Sequence, residues 1–229
     1  MMEINPYPFP FVVLEGIDGS GKSTLLNGVE KYLQNKRVPF YVTAEPTDLE
    51  YGKKIRRILD NGGRDANNHK VAAEDLQRLY ILDRLNHRKS ESEFLKTMAV
   101  ISDRDWESTM AYASAFGVQP QWVINEHERL AREAGAELFF SNLTLIVDVA
   151  PEEALRRQKA AGKALDYFES DIVKRGKLRE AYLSLPAVLF QLLPQVPFNI
   201  QIIDGMRPEK EVLQSALSYI EPLLVRRSG

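Results

Sequence analysis

The chain has 229 residues, of which 44% are hydrophobic and 27% are charged, as in an ordinary globular protein. Its formal net charge of −2 gives no reason to expect a basic surface for nucleic acid, and the lack of cysteine excludes disulfides and thiolate metal sites. Residues 1–10 lack the basic start and apolar core of a signal peptide, and no run approaches the ~20 apolar residues of a membrane span. We therefore expect a cytoplasmic protein without nucleic-acid or membrane partners.

The first element is the apolar run over residues 11–14, which is typical of a strand buried on both faces of a parallel sheet. It leads into Gly16-x-x-x-x-Gly21-Lys22-Ser23, the full phosphate-binding loop pattern, and then into a helix predicted over 24–34. The glycines let backbone N–H groups point at an anion, while the lysine reaches the terminal phosphates and the serine hydroxyl can bind Mg²⁺. The predicted nucleotide-binding residues are Gly16, Ile17, Asp18, Gly19, Ser20, Gly21, Lys22, Ser23 and Thr24.

Strand and helix signals alternate along the rest of the chain, as in a parallel α/β sheet. The further predicted strands cover 38–43, 99–102, 143–149 and 200–204. The further predicted helices cover 49–59, 71–98, 107–116, 119–134, a segment beginning at Pro151, 170–193 and 208–225. Pro186 is expected to kink or divide its helix, and residues 159–169 are expected to form a mobile segment. With no repeat and no linker, we expect a single domain over residues 1–229 with five parallel strands.

Charged residues follow the predicted strands at their carboxyl ends, where ligands of open parallel sheets bind. Glu45 follows the second strand, and Asp103 with Arg104 follows the third. Because Mg²⁺ prefers oxygen ligands, the predicted metal-binding residues are Ser23, Glu45 and Asp103. A strand-end cap is the alternative role for Asp103. Asp148, after the fourth strand, is not distinguishable from a helix cap and is not included in the site.

Three arginines on separate segments flank these strand ends, namely Arg56, Arg84 and Arg104. Together they could hold a second phosphate group opposite the nucleotide, which favours a kinase over an ATPase. Two alternatives stay open at this point. Arg56 and Arg57 could form a solvated helix face, and Arg84, with Asp83 beside it, could form a buried structural ion pair.

In combination, these motifs resemble the thymidylate kinase family of P-loop nucleoside monophosphate kinases over roughly residues 11–205. The matching stretches, in chain order, are Glu15-Gly16-Ile17-Asp18-Gly19-Ser20-Gly21-Lys22-Ser23-Thr24, Ala44-Glu45-Pro46, Ile55-Arg56, the helix segment 79–87, Asp103-Arg104, Ser108-Thr109-Met110-Ala111-Tyr112 and the strand segment 145–149. The resemblance implies a three-layer α/β sandwich with a short lid at about 159–169, a homodimer, ATP and Mg²⁺ as cofactors, and dTMP as the acceptor.

The resemblance also implies individual roles for the matching residues. Lys22 and Ser23 would bind ATP phosphates and Mg²⁺, Asp18 would lie near the acceptor sugar, and Glu45 would lie near the metal and the acceptor phosphate. The residues implied to hold the acceptor phosphate are Arg56, Arg84 and Arg104. Those implied to surround its nucleoside are Tyr80 stacked on the base, Thr109 at the base edge, and Tyr112 against the sugar. Without the family match, Tyr80 would be interpreted as an ordinary core aromatic.

This sequence departs from the family pattern at the positions that carry charge to the transferring group. The lid stretch 165–169 has Tyr167 in place of the family's arginine, and the phosphate loop has no arginine either. The cations that could replace it are Lys159, Lys163, Arg156 and Arg157. Elsewhere, Ala44 replaces an arginine and Asp105 stands where the family usually has Tyr or His. The predicted catalytic set is Lys22, Asp18, Arg104 and Lys163.

Two other functions fit part of the pattern. A deoxynucleoside kinase shares the loop and lid but needs no clamp of three arginines. A nucleotide-binding regulator without phosphoryl transfer is compatible with the altered lid.

Overall fold

The computed structural model describes residues 3–162 and 171–225. Its strands are β1 (Glu3–Ile4), β2 (Phe11–Glu15), β3 (Phe40–Ala44), β4 (Ala99–Asp103), β5 (Phe139–Phe140), β6 (Leu143–Asp148) and β7 (Ile200–Asp204). Its helices are α1 (Lys22–Lys36), α2 (Glu50–Asp60), α3 (Ala73–Leu95), α4 (Trp106–Ala115), α5 (Pro120–Ala134), α6 (Pro151–Ala160), α7 (Ile172–Leu192) and α8 (Glu209–Val225).

Five strands form one parallel sheet in the order β3-β4-β2-β6-β7. The strand that leads into the phosphate loop, β2, is central, and every one of its residues is buried. Its Leu14 aligns with Asp103 of β4 on one side and with Leu145 of β6 on the other. This register brings the carboxyl ends of β2 and β4 to the same edge of the sheet, so the residues that follow both strands meet there.

Helices cover the two faces of this sheet. On one face, Leu25 and Val29 of α1 pack with Ala216 and Ile220 of α8 against the apolar side chains of β2 and β6. On the other face, Met110 of α4 and the α7 residues Tyr182, Leu185 and Leu189 pack together in the largest buried cluster. The expected three-layer α/β sandwich with a five-stranded parallel sheet is confirmed.

The N-terminal segment adds a small second sheet that the sequence pattern did not predict. Its strands β1 and β5 pair in parallel, with Glu3 opposite Phe139 and Ile4 opposite Phe140. Two-residue strands are too short to show the alternation by which a strand is recognised in a sequence. Phe139 also contacts the rings of Tyr7 and Phe11 edge-on, which attaches this sheet to the start of β2.

The predicted helix over 170–193 is not divided at Pro186, because α7 runs without interruption from Ile172 to Leu192. Proline removes one backbone hydrogen bond from a helix, which is costly in isolation. Here Leu185 and Leu189, on either side of the proline, are each no more than 1% exposed, so tertiary packing offsets the missing bond.

The expected mobile segment over 159–169 lies mostly outside the described residues, and α6 continues to Ala160 at its beginning. Lys163 and Tyr167 both fall outside the described residues. Within the described ranges, no helix combines the length and apolar character needed to cross a membrane.

The start of α2 is packed against the loop that follows β3 so closely that only glycine fits. A Cβ at Gly52 would lie 1.9 Å from the carbonyl oxygen of Thr47, whereas a Cβ at Gly176 in α7 would meet nothing within 4 Å. Because Thr47 is held by hydrogen bonds from its N–H and hydroxyl to Asp83, its backbone cannot move away freely.

We predict that Gly52→Ala lowers the free energy of unfolding by about 1–3 kcal/mol through overpacking. The matched control Gly176→Ala places the same residue in an open helical position. It should raise the free energy of unfolding by up to about 1 kcal/mol, because alanine is less flexible in the unfolded chain. Urea unfolding of both variants measures the difference. Equal effects of the two substitutions would contradict the close approach at Gly52.

Candidate active site

The phosphate loop wraps around the side chain of its own lysine. Lys22 begins α1, and its Nζ donates hydrogen bonds to the carbonyl oxygens of Gly16 at 2.9 Å and Ile17 at 3.2 Å. Gly19 has φ +84°, and a Cβ there would lie 2.2 Å from the carbonyl oxygen of Ala154, so no other residue fits. With the N-terminus of α1 directed at the loop, backbone N–H groups and the helix dipole favour an anion here.

A cavity of about 1200 Å³ opens over this loop. We call it the donor cleft; it is bounded by the loop, α1, the end of α6 and the turn between β7 and α8. Of the predicted site residues, those lining the donor cleft are Asp18, Gly19, Ser20, Gly21, Lys22, Ser23, Thr24, Asp103 and Arg104. The Ser20 hydroxyl and Asp103 Oδ1 are buried without a hydrogen-bond partner among the described residues. Unpaired buried oxygens are costly, and a bound cation or nucleotide would satisfy them.

Arg104 is directed at the loop by an unusual backbone conformation. Its φ of +74° is in the left-handed region that non-glycine residues seldom adopt. Its Nη2 forms a close ion pair with Asp18, and its guanidinium carbon lies 5.6 Å from the centre of the Tyr112 ring. Burial alone would raise the pKa of Asp18, but the charges of Arg104 and Lys22 outweigh it and hold that pKa at about 2. Asp18 is therefore an anion that holds two cations beside the phosphate site.

Glu15, the last residue of β2, connects the loop to the segment that carries Arg104. It is fully buried, and its carboxylate accepts hydrogen bonds from the backbone N–H of Asp105 at 2.9 Å and of Ser108 at 3.1 Å. The hydroxyls of Ser108 and Tyr182 donate to it at 2.6 and 3.0 Å. Burial raises the pKa of Glu15, and the nearby charge of Arg104 opposes that rise. The carboxylate thus caps the N-terminus of α4 from another element.

Arg84 lies in a buried network rather than at the surface of the cleft. It is 1% exposed, its Nη2 donates to Glu45 Oε2 at 2.6 Å, and its Nε lies 2.8 Å from Asp105 Oδ1. Arg84 is therefore in buried ion pairs, but with Glu45 and Asp105 and not with the adjacent Asp83, whose carboxylate accepts hydrogen bonds from Thr47. Its Nη1 also donates to the hydroxyl of Thr109 at 3.0 Å, which places Arg84 next to the residue expected at the edge of the acceptor base.

His127 fixes the remaining side of Arg84. Its Nδ1 lies 2.8 Å from the carbonyl oxygen of Val123, which can only accept, so Nδ1 carries the proton. Its Nε2 is then the acceptor for Arg84 Nη1 at 2.9 Å. Burial and the charge of Arg84 lower the pKa of His127 to about 3, so the ring is neutral at physiological pH.

The other predicted acceptor residues lie around α2 and α3. Arg56 donates to the carbonyl oxygens of Pro46 at 2.5 Å and Thr47 at 2.7 Å, and its Nη1 lies 3.2 Å from Asp48. Tyr80 and Tyr112 are half-buried against one apolar cluster that includes Ile55 and Ile58. Arg104 connects this acceptor side to the donor cleft, because it contacts both Asp18 and the Tyr112 ring.

Some predicted site residues are not brought together. Glu45 is directed at Arg84 and at His87 Nδ1, which lies 3.3 Å from it, and it does not line the donor cleft with Ser23 and Asp103. Across residues 3–162 and 171–225, no three His, Cys, Asp or Glu side chains form a group that could hold a metal ion. Asp148 forms an ion pair with Arg179 at 2.6 Å.

Several residues of the network were missed as site residues by sequence reasoning. Glu15 and Ser108 stand inside the matched motifs and could have been selected as polar residues next to predicted site positions. In the sequence, Tyr182 has the spacing of an ordinary member of an apolar helix stripe. Arg88 follows Arg84 by one helical turn on α3, and both arginines contact Asp105. The distance from Arg88 Nη2 to Asp105 Oδ1 is 2.8 Å, and only the fold reveals this partner. In the sequence, Asp105 stands out only as a departure from the family pattern.

A central parallel strand that leads through a glycine-rich loop into a helix, with arginines on the following segments, defines a P-loop kinase. The sequence model of the family described as "Thymidylate kinase" matches residues 14–215. This chain is 35% identical over 178 residues to a "Probable thymidylate kinase" of Pyrococcus horikoshii. The aligned residues cover 76% of this chain and 82% of that relative. It is 32% identical over 213 residues to a "Probable thymidylate kinase" of Pyrobaculum calidifontis, and the alignment covers 92% of this chain and 95% of that relative. It is 28% identical over 216 residues to a "Thymidylate kinase" of Carboxydothermus hydrogenoformans, with 93% of this chain and 97% of that relative covered. The chain belongs to the thymidylate kinase family.

One buried carboxyl next to the site makes the stability depend on pH. Glu107 is 1% exposed, accepts a hydrogen bond from the Thr144 hydroxyl at 2.6 Å, and has Oε2 buried without a partner among the described residues. Burial and the negative charges of Asp105 and Glu15 raise its pKa to about 8. Between the ordinary pKa of about 4.5 and pH 8, the unfolded chain has lost this proton and the folded chain keeps it, so stability falls as pH rises.

We predict that Glu107→Gln reduces the decrease of the free energy of unfolding with rising pH by up to ~1.4 kcal/mol per pH unit between about pH 5 and 8. The measurement is the free energy of unfolding in urea at several pH values in that window. Glu128→Gln changes an exposed position of α5 in the same chemical way and should leave the pH slope as in the wild type. An unchanged slope in Glu107→Gln would show that Glu107 does not hold its proton in the folded state.

Proposed function

We propose that this protein transfers the γ-phosphoryl group of ATP to dTMP, giving ADP and dTDP, with Mg²⁺ as cofactor. The observation that carries the proposal is the position of Arg104, which joins the phosphate loop, through Asp18, to the acceptor side, through Tyr112. An arginine between two phosphate sites serves transfer between them, whereas hydrolysis needs no acceptor site. Membership of the thymidylate kinase family supports dTMP as the acceptor.

In this reaction an oxygen of the acceptor phosphate forms a bond to the γ-phosphorus. The bond from that phosphorus to the β,γ-bridging oxygen breaks, and ADP leaves with the electron pair. Neither a covalent enzyme intermediate nor a strong base is needed, so the protein acts by orienting both nucleotides and stabilising charge. Lys22 and the loop N–H groups hold the donor phosphates, Arg104 holds the acceptor phosphate, and Asp18 lies near the acceptor sugar.

Ser23 and Asp103 are the side chains that would hold Mg²⁺, since both line the donor cleft and Asp103 Oδ1 is buried without a partner among the described residues. When bound, the ion would neutralise charge on the donor phosphates. Glu45 would lie near the metal ion and the acceptor phosphate, in its position beside Arg84.

The remaining acceptor residues complete the proposal. Tyr80 stacks on the base, Thr109 and Arg84 contact the base edge, Arg56 holds the acceptor phosphate, and Tyr112 disfavours a 2′-hydroxyl. The close contact of Arg84 with Thr109 supports a place at the base in addition to the predicted one at the phosphate. We further propose a single kinase domain over residues 1–229 that acts in the cytoplasm as a homodimer, with Lys163 in a lid at about 159–169.

The decisive experiment is a product assay with ATP, Mg²⁺ and a panel containing dTMP, dUMP, dCMP, dGMP, dAMP and thymidine. We expect dTDP and ADP in equal amounts, with dTMP the preferred acceptor. Conversion of thymidine alone would support a deoxynucleoside kinase instead. ATP binding without turnover of any acceptor would support a nucleotide-binding regulator.

The role of Arg104 yields a second test. We predict that Arg104→Ala lowers kcat/KM for dTMP by about 100-fold or more, because a charged hydrogen bond to the acceptor phosphate is lost, while the Kd for ATP changes less than about threefold. Arg57→Ala removes an exposed arginine of α2 and is the matched control, with no expected change in either constant. Parallel losses in ATP binding and dTMP use would contradict the acceptor role.

A further inference from the structure

The hydrogen bonds around Arg84 have a fixed direction, because a guanidinium group only donates. The Thr109 hydroxyl oxygen, 3.0 Å from Arg84 Nη1, is therefore the acceptor of the bond between them. The second acceptor for Nη1 is His127 Nε2, at 2.9 Å. Both hydrogens of Nη1 are thus used within the protein, and the proton of the Thr109 hydroxyl is directed away from Arg84.

The His127 ring can accept from Arg84 in one protonation state only. The carbonyl oxygen of Val123 takes the proton on Nδ1, which leaves Nε2 as an acceptor. A charged ring would instead place an N–H of Nε2 against the guanidinium, donor against donor. The Trp106 ring packs edge-on against the imidazole, with 5.7 Å between ring centres, and His127 is 1% exposed. These contacts fix the orientation of Nε2 toward Arg84.

Through this bond α5 acts on the acceptor side. His127 lies on α5, Arg84 on α3 and Thr109 on α4, so one guanidinium connects three helices. Without the imidazole, an N–H of Nη1 would be buried without an acceptor, which is unfavourable. The guanidinium would then turn toward another acceptor, and its bond to the Thr109 oxygen would no longer be fixed.

The free proton of Thr109 bears on which base fits. In the proposed function Thr109 lies at the edge of the acceptor base. Because its oxygen accepts from a cation, its O–H is polarised as a donor and its remaining lone pair is a poor acceptor. Such a hydroxyl complements the 4-oxo group of thymine or uracil. The 4-amino group of cytosine would place N–H against O–H.

We propose that His127 is a positioning residue for recognition of the acceptor base, since it fixes Arg84 so that the Thr109 hydroxyl donates to a 4-oxo group. This inference rests on the proposed ATP:dTMP reaction. The alternative is a purely structural role, in which the imidazole would only fill the space between α3, α4 and α5.

The test compares His127→Met with His127→Gln in the ATP and Mg²⁺ assay. The two new side chains are similar in length, but only glutamine keeps an oxygen that can accept from Arg84. In His127→Met we expect the KM for dTMP and for dUMP to rise about tenfold or more, with kcat changed less than about threefold, because base binding and not the transfer step is affected.

The competitor dCMP lacks the 4-oxo group, so its Ki against dTMP should weaken less than about threefold in His127→Met. His127→Gln should keep all three constants nearer to those of wild type. Ser141→Ala removes a buried hydroxyl that contacts Thr144 Oγ1 at 2.8 Å, and it controls for a loss of stability away from Arg84.

Two substitutions at Thr109 test the same bond in a chain that keeps His127. Thr109→Val should raise the KM for dTMP about tenfold and leave the Ki of dCMP nearly unchanged, whereas Thr109→Ser should change neither constant much. Adding His127→Met to Thr109→Val should cause little further loss, because His127 acts through that hydroxyl.

An unchanged KM for dTMP in His127→Met would overturn the inference. Equal weakening of dTMP, dUMP and dCMP, equal losses in the Met and Gln variants, or additive effects in the double variant would leave His127 a packing residue. If His127→Met does not fold, an unchanged selectivity in Thr109→Val overturns the inference. Wild-type protein that phosphorylates no nucleoside monophosphate refutes the proposed function, while active wild type with any of these results refutes only the role of His127.

Discussion

The site depends on the hydrogen bonds of one buried carboxylate, that of Glu15. It joins the end of β2 to the N-terminus of α4 and to the hydroxyl of Tyr182 in α7. Because these elements come from three distant parts of the chain, Glu15 sets how far the segment after β4 stands from the phosphate loop. Arg104 uses the same hydroxyls of Ser108 and Tyr182 as acceptors, at 3.0 and 2.8 Å, so its place beside Asp18 follows from this arrangement. These contacts hold Arg104 in place between the phosphate loop and the Tyr112 ring.

Buried charge on the acceptor side is balanced by a chain of shared partners. Arg84 and Arg88 lie one helical turn apart on α3, and both contact Asp105. Arg84 also pairs with Glu45 at 2.6 Å, and Arg88 also pairs with Glu91 at 2.7 Å. Unpaired, each of these ions would cost several kcal/mol in the interior. This gives a physical reason for the departure at position 105, since a carboxylate there separates two like charges.

Much of the fold could be predicted from the sequence because its signals are local. The apolar run before Gly16 predicted a central buried strand, and the alternation of strand and helix patterns predicted the parallel sheet. Where local signals conflict with packing, packing prevails, as in α7, which continues through Pro186 because its neighbours are buried on both sides of it. The two-residue strands β1 and β5 gave no periodic signal at all.

The sequence by itself determined the phosphate loop and the family, because the loop is a contiguous motif whose chemistry depends on backbone flexibility, one lysine and one serine. It also marked Arg104, since carboxyl ends of parallel strands meet at one edge. Only the tertiary structure decided which partner each charge takes: Glu45 turns to Arg84 and not to the cleft, His127 holds Arg84 as a neutral ring, and Arg157 rather than Arg156 contacts the loop. Those choices depend on side-chain direction and burial across elements far apart in the chain, and spacing along the sequence carries no record of either.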